Sequence, residues 1–224
     1  MNAIKKSIDP IWEKIHSSQS WGAYPSEHVI RFVARNFYSV EDRKAIKILD
    51  FGCGQGSHTW YLSREGFDAY AFDGSESAVK KAEERLSREG LSAKFSVMDG
   101  TSLEYESDYF DAVIDSACIY ANKMDDITKM YAEVYRVLKP GGKLFTCVFG
   151  EKLEGCKSGK EIEKGTFIDI QEGVLVNRGT THVFTRDELE NVLSDSGFGS
   201  INCDEINYTD NGHMVHMYFC RAQK

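Results

Sequence analysis

Ile48-Leu49-Asp50-Phe51-Gly52-Cys53-Gly54-Gln55-Gly56 is the stretch that decides how this chain is read. An apolar run ends in Asp50, three glycines alternate with single residues, and Ser57-His58-Thr59-Trp60-Tyr61-Leu62 follows as an amphipathic stretch. That order is buried strand, tight turn, helix start. Glycine lets the backbone turn sharply and approach a ligand closely. The helix N-terminus beyond it favours an anionic group. A second acid, Asp73, closes the next apolar run, where a carboxylate serves ribose hydroxyls in nucleoside-binding folds. The segment reads as a nucleoside-cofactor site.

The same alternation continues on both sides. Residues 67–73 read as a second strand, followed by Gly74, an N-cap at Ser75 and a helix to about Glu89. Residues 93–98 read as a third strand ending in Asp99-Gly100-Thr101, and residues 109–115 as a fourth. Residues 137–145 read as a helix end, a Pro-Gly turn and a fifth strand. Strands alternating with helices imply a parallel sheet covered on both faces, with ligands at the carboxyl ends of the strands. Asp50, Asp73, Asp99 and Asp115 all fall at such ends.

The glycine spacing narrows the cofactor. A dinucleotide fingerprint is Gly-x-Gly-x-x-Gly; here the third glycine comes one residue early and Asp50 precedes the loop. The segment resembles motif I of class I (Rossmann-like) S-adenosylmethionine (SAM)-dependent methyltransferases, (D/E)-x-G-x-G-x-G. The resemblance covers residues 46–149 most fully. It implies SAM as cofactor and S-adenosylhomocysteine as product. It implies that Asp50, Gly52, Cys53, Gly54 and Gly56 follow the methionine moiety. Asp73, with Gly74 and Ser75, would hold the ribose, and Asp99, with Gly100 and Thr101, the adenine amine. Ser116 and Ala117 would close the site. Leu138-Lys139-Pro140-Gly141-Gly142 is typical of the small-molecule branch. The Asn-Pro-Pro-Tyr type of motif common in enzymes acting on exocyclic amines is replaced by Asp115-Ser116-Ala117-Cys118.

The family's sheet is α/β with seven strands in order 3-2-1-4-5-7-6, the seventh antiparallel, and helices on both faces. Residues 201–208 and 213–220 read as the closing hairpin around Thr209-Asp210-Asn211-Gly212. The expected organisation is one domain over 1–224: an N-terminal helical lid (1–44), a SAM-binding core (45–149), an acceptor-side β insertion (150–184) and a C-terminal helix and hairpin (185–224). In the lid, Ser26 caps a helix to about Tyr38, and Trp12, Trp21 and Tyr24 are candidates to cover the cofactor. Tyr24 stands out because its hydroxyl can reach a SAM carboxylate or an acceptor; Arg31 is a further lid candidate. In the insertion, residues 166–170 and 174–177 read as strands around a Gln171-Glu172-Gly173 turn. Thr185 and Glu188 have capping-box spacing ahead of a helix ending near Gly197.

Composition bounds the partners. The 224 residues are 42% hydrophobic and 28% charged, with net charge −8, which suits a folded domain and disfavours a nucleic-acid surface. Lys152, Lys157, Lys160 and Lys164 alternate with Glu151, Glu154, Glu161 and Glu163, as on a solvated face. No apolar run spans a bilayer, and Met1 to Lys6 lead into no signal-peptide core. The six cysteines are scattered and are expected as free thiols in a reducing cytoplasm. No metal is expected, since His213 and His216 would point to opposite faces of a strand. A monomer or homodimer is expected.

Function follows from the cofactor: in-line transfer of a methyl group to an oxygen or nitrogen of a small-molecule acceptor. Where the acceptor must lose a proton, histidine suits the task. His182, in the acceptor wall, is the first choice, followed by Tyr120 and His58; Cys118 is expected as lining. Three other readings stay open: a protein or RNA methyltransferase, a non-catalytic SAM-binding protein, and a nicotinamide-dependent oxidoreductase.

Overall fold

The computed structural model describes residues 7–224; the leading six, where the signal-peptide expectation falls, lie outside the described residues. Two helices come first, α1 (Pro10–Ser18) and α2 (Glu27–Phe37). Asp9 caps α1 by accepting from the Ile11 N–H at 3.0 Å, and Pro10 occupies the first turn, where its missing N–H costs nothing. Ser26 caps α2 through the Val29 N–H, as its position in the sequence implies.

The central sheet is laid down by β1 (Lys47–Phe51), β2 (Asp68–Asp73), β3 (Lys94–Val97), β4 (Phe110–Ser116) and β5 (Leu138–Phe149). Between them run α3 (Ser57–Arg64), α4 (Glu76–Arg88) and α5 (Met124–Val137). β1 pairs in parallel with β2 on one side, Asp50 beside Ala71, and with β4 on the other, Asp50 beside Ile114. Ile48, Leu49, Val113, Ile114, Leu144 and Val148 are wholly buried. These near-continuous apolar runs are what a parallel sheet covered on both faces requires.

After β5 come β6 (Lys160–Glu163), β7 (Thr166–Ile168) and β8 (Thr181–His182), then α6 (Arg186–Asp195), β9 (Gly199–Asp210) and β10 (His213–Gln223). β10 inserts antiparallel beside β5, and β9 pairs outside it, giving the order β3-β2-β1-β4-β5-β10-β9. Counting main-sheet strands alone, this is 3-2-1-4-5-7-6, the order implied by the resemblance. Thr185 caps α6 by accepting from the Glu188 N–H at 3.2 Å.

Three local expectations are corrected. Leu138 to Gly142 is a bulge within β5 rather than a turn before it. Phe110 pairs with Leu138 and Ala112 with Lys143, so the extra residues loop out there. In the insertion, β7 pairs with β6 and β8, not with residues 174–177. Gly173 and Asn177 have positive φ, +83° and +58°, which breaks an extended path between them. The hairpin turn falls instead at Lys164-Gly165. Finally, Cys203 and Cys220 stand opposite each other in the β9–β10 register and are joined as a disulfide, while Cys53, Cys118, Cys147 and Cys156 are free. Scattered sequence positions hide that cross-strand neighbourhood. No helix among the described residues is long and apolar enough to cross a membrane.

Candidate active site

The turn between β1 and α3 is built on left-handed backbone: φ is +66° at Gly52, +52° at Gly54 and +79° at Gly56. At Gly52 a side chain is also excluded by space, since an added Cβ would lie 2.0 Å from Cys118 Sγ. The turn is fastened at three points. Asp50, fully buried, accepts from the Thr59 N–H at 2.9 Å and the Thr59 hydroxyl at 2.5 Å. The Cys53 N–H donates to the Phe72 carbonyl at 2.8 Å. The Gly54 N–H donates to Asp73 Oδ2 at 2.9 Å.

The four strand-end acids do different work. Asp115 is closed in by its own chain, accepting from the N–H groups of Cys118 (3.0 Å) and Ile119 (3.1 Å) and from Thr146 Oγ1 (2.6 Å). Asp50 is likewise internal. Asp73 and Asp99 face a shared cavity of about 360 Å³. Asp73 Oδ1 accepts from the Ser75 N–H at 2.8 Å. Burial dominates its electrostatics and pushes its pKa up to about 6, against the hydrogen bonds from Ser75 and Gly54. Burial also pushes Asp99 upward, but bonds from Ser7 and Thr101 outweigh it and hold that carboxyl below its ordinary value. Its Oδ2 accepts from the Ser7 N–H at 2.6 Å, and its Oδ1 from the Ser7 hydroxyl at 2.6 Å and Thr101.

The cavity is roofed by the lid. Trp12 and His16 of α1, with Trp21 beyond it, line one side. Glu13 holds α1 to the start of α4 by accepting from Ser75 Oγ (2.6 Å) and Ser77 Oγ (2.5 Å). The rest of the lining comes from the end of β4 and the loop after it (Ser116 to Cys118, Tyr120 to Asn122), from Phe149, from the insertion (Val174, Leu175, Arg178) and from the hairpin (Tyr208, Asp210, Val215).

Residues 48–142 match the family model described as a methyltransferase domain. A SAM-dependent methyltransferase of Methanosarcina mazei has a similar structure, with a TM-score of 0.71 and 26% identity, over 86% of this chain and 96% of that one. Residues 48–142 thus form a methyltransferase domain of the class I SAM-dependent type. Phosphoethanolamine N-methyltransferase 2 of Caenorhabditis elegans is 32% identical over 106 residues, 46% of this chain and 24% of that protein. Sterol 24-C-methyltransferase of Kluyveromyces lactis is 27% identical over 218 residues, 88% of this chain and 55% of that protein. The chain thus spans about half or less of the length of these curated relatives.

Most of the residues expected to meet the methyltransferase cofactor converge on the cavity. Gly52, Cys53, Gly54, Asp73, Gly74, Asp99, Gly100, Ser116 and Ala117 line it, as do Tyr120, His58 and Cys118. Others stand behind the lining. Asp50 is turned to Thr59. Gly56 abuts α4, where an added Cβ would meet Ala82 Cβ at 2.8 Å. Ser75 caps α4, and Thr101 braces Asp99. Tyr24 is 79% exposed and does not reach the cavity.

His182 is the main correction. It is fully buried outside the lining, with Nδ1 2.7 Å from Thr166 Oγ1 and Nε2 3.3 Å from Glu188 Oε2. Both ring nitrogens are engaged in joining β7, β8 and α6, and the side chain does not line the cavity. Only its backbone N–H reaches a lining residue, donating to the Tyr120 carbonyl at 2.9 Å. His58 lines the cavity, yet its Nε2 accepts from the Ser26 N–H at 3.3 Å, and burial lowers its pKa.

His16, Arg178, Asn122 and Asp210 are lining residues that the sequence reading passed over. His16 is four residues after Trp12 on the lid helix, a spacing that places both on one face and was a usable signal. Arg178 is one cation in a turn of the insertion, and nothing local marks it.

Proposed function

We propose that this protein transfers a methyl group from SAM to an oxygen or nitrogen atom of a small-molecule acceptor. The observation that carries the reading is a single cavity joining Asp73, Asp99 and the glycine turn to a wall made by the insertion and hairpin. SAM held there would supply a sulfonium-activated methyl open to in-line attack by an acceptor lone pair, with S-adenosylhomocysteine as the leaving group.

The chain's own residues fit that group. Each Asp73 oxygen accepts one described hydrogen bond and retains a lone pair for a ribose hydroxyl. Asp99 Oδ2 likewise retains acceptor capacity for an amine. Phe51, Phe72, Met98 and Met130 supply apolar lining. The side-chain-free path at Gly52 and Gly54 lets a ligand lie against the backbone. Positioning of donor and acceptor is the principal contribution, worth up to about 7–11 kcal/mol in favourable cases.

Tyr120 is buried in the acceptor wall, and burial raises its pKa, so it stays protonated. It is suited to orient an acceptor as a hydrogen-bond donor rather than to remove a proton. A covered cavity and a net charge of −8 support a small acceptor over nucleic acid.

The test is S-adenosylhomocysteine release from methyl-labelled SAM with a panel of phosphobases, sterols, quinols and phenols. Label appearing in one acceptor class supports transfer. Tight SAM binding without transfer to any, or to protein and RNA added in the same assay, favours the non-catalytic reading.

A further inference from the structure

Arg178 lines the cavity and makes no ion pair or side-chain hydrogen bond among the described residues; its guanidinium lies over the Trp21 ring, 4.8 Å from the centroid. A guanidinium carries five N–H donors in a planar fork suited to carboxylate or phosphate. Trp21 also packs edge-on against His16, with ring centroids 5.7 Å apart.

The tautomer of His16 follows from its neighbours. The Trp21 N–H donates to Gln55 Oε1 at 3.0 Å, which fixes the direction of that amide. Gln55 Nε2 then donates to the Gln19 carbonyl at 2.9 Å and faces His16 Nδ1 at 3.4 Å. Nδ1 is therefore the acceptor, and the ring proton sits on Nε2. His16 is only 4% exposed, lines the cavity and has no described partner for Nε2. Its ring lies beside the glycine turn, with Cε1 3.5 Å from where a Cβ on Gly54 would be. Burial, then the Lys81 charge, pushes its pKa down to about 4, so the imidazole is neutral at physiological pH.

Neighbouring charges are already engaged. Asp9 accepts from the N–H groups of Ile11 and Thr180 and from the Thr180 hydroxyl. Lys81 donates to the carbonyls of His16 and Gln19. The guanidinium and the imidazole N–H remain, both on the cavity and both against Trp21. Both donors open on the cavity, where a ligand that supplies an acceptor in this partly desolvated setting is favoured.

We propose that Arg178 and His16 form an anion-binding subsite of this cavity, which takes a carboxylate or phosphate group of a bound small molecule. The proposal rests on the methyl-transfer reading of the same cavity. Two molecules can bring the anion: the cofactor, through its amino-acid carboxylate, or the acceptor.

Calorimetric titration separates them, using the full chain and its Arg178→Gln and Arg178→Lys variants. The probes are S-adenosylhomocysteine, methylthioadenosine (which lacks the amino-acid carboxylate) and inorganic phosphate added to the S-adenosylhomocysteine complex. In Arg178→Gln, whichever ligand carries the anion weakens about 10- to 100-fold, and Arg178→Lys recovers part of the loss. Weaker S-adenosylhomocysteine with unchanged methylthioadenosine assigns the anion to the cofactor. Weaker phosphate with unchanged S-adenosylhomocysteine assigns it to the acceptor. Should Arg178→Gln unfold, His16→Phe is the second variant and loses the same ligand. Unchanged affinity for every probe, or no phosphate binding together with unchanged S-adenosylhomocysteine, overturns the subsite while methylthioadenosine binding keeps the cofactor reading. A wild-type chain that binds neither nucleoside overturns both.

Discussion

The backbone N–H of Gly54 donates to Oδ2 of Asp73 at 2.9 Å. The acid that ends β2 is therefore also the fastening of the glycine turn after β1. Its other oxygen takes the Ser75 N–H that begins α4. One carboxylate fixes the loop and the helix start, and still presents a lone pair on each oxygen to the cavity.

Asp73→Ala should therefore cost more than its contact with the ribose. The hydroxyls lose their acceptor and the turn loses a charge-assisted tie, each worth about 1.5–3 kcal/mol. S-adenosylhomocysteine affinity should fall at least about tenfold, with Asp73→Asn between the variant and wild type. Calorimetry checks this; unchanged affinity would remove Asp73 from the site.

The same residue gives a pH dependence. Burial raises its folded pKa to about 6, so the folded state holds the proton more tightly than the unfolded chain. Asp115, also raised to about 6 by burial, acts in the same direction. Their contribution to the stability of the ligand-free fold is present at low pH and is lost as pH rises through about 6. Ligand affinity should run the other way, since the ionised acid is the form proposed to accept ribose hydroxyls: it should weaken as pH falls below about 6. Asp73→Asn should flatten the affinity profile. A wild-type profile already flat between about pH 5 and 8 would contradict the assignment.

His182→Ala should act on stability. The change empties a fully buried site and removes one hydrogen-bond partner each from Thr166 and Glu188. A loss of about 2–4 kcal/mol is expected. Denaturant melts should shift, while the pH profile of any residual turnover keeps its wild-type shape. A profile that loses one ionisation would restore His182 as a base.

Glu13→Ala should loosen the roof. The hydrogen bonds from Ser75, then Ser77, hold the Glu13 carboxyl below its ordinary value and tie α1 to α4. Release of S-adenosylhomocysteine in stopped flow should be about tenfold faster. An unchanged release rate would mean that α1 does not gate the cavity.

Much of this was legible before any coordinates. Strand alternation, the three glycines and the acids after them marked a parallel sheet and its cofactor turn, because parallel strands and left-handed turns leave strong local marks; the strand order came from the family resemblance that those residues carry. The roles of the four acids were not legible. Asp50 and Asp115 share a pattern with Asp73 and Asp99, but Thr59 and Thr146 claim them through tertiary contacts. His182 falls outside the cavity lining for a related reason. A strand's path shows which wall it joins, whereas the face of one residue depends on register against β7, and the insertion's hairpin had been placed at the wrong turn. Arg178 and the Cys203–Cys220 pairing likewise depend on long-range neighbours.

The most direct measurement is calorimetric titration of the purified protein with SAM, S-adenosylhomocysteine and NADH. The account predicts micromolar binding of the first two and none of NADH. Binding of NADH alone would contradict it, since the glycine turn would then be holding a pyrophosphate and the oxidoreductase reading would replace methyl transfer.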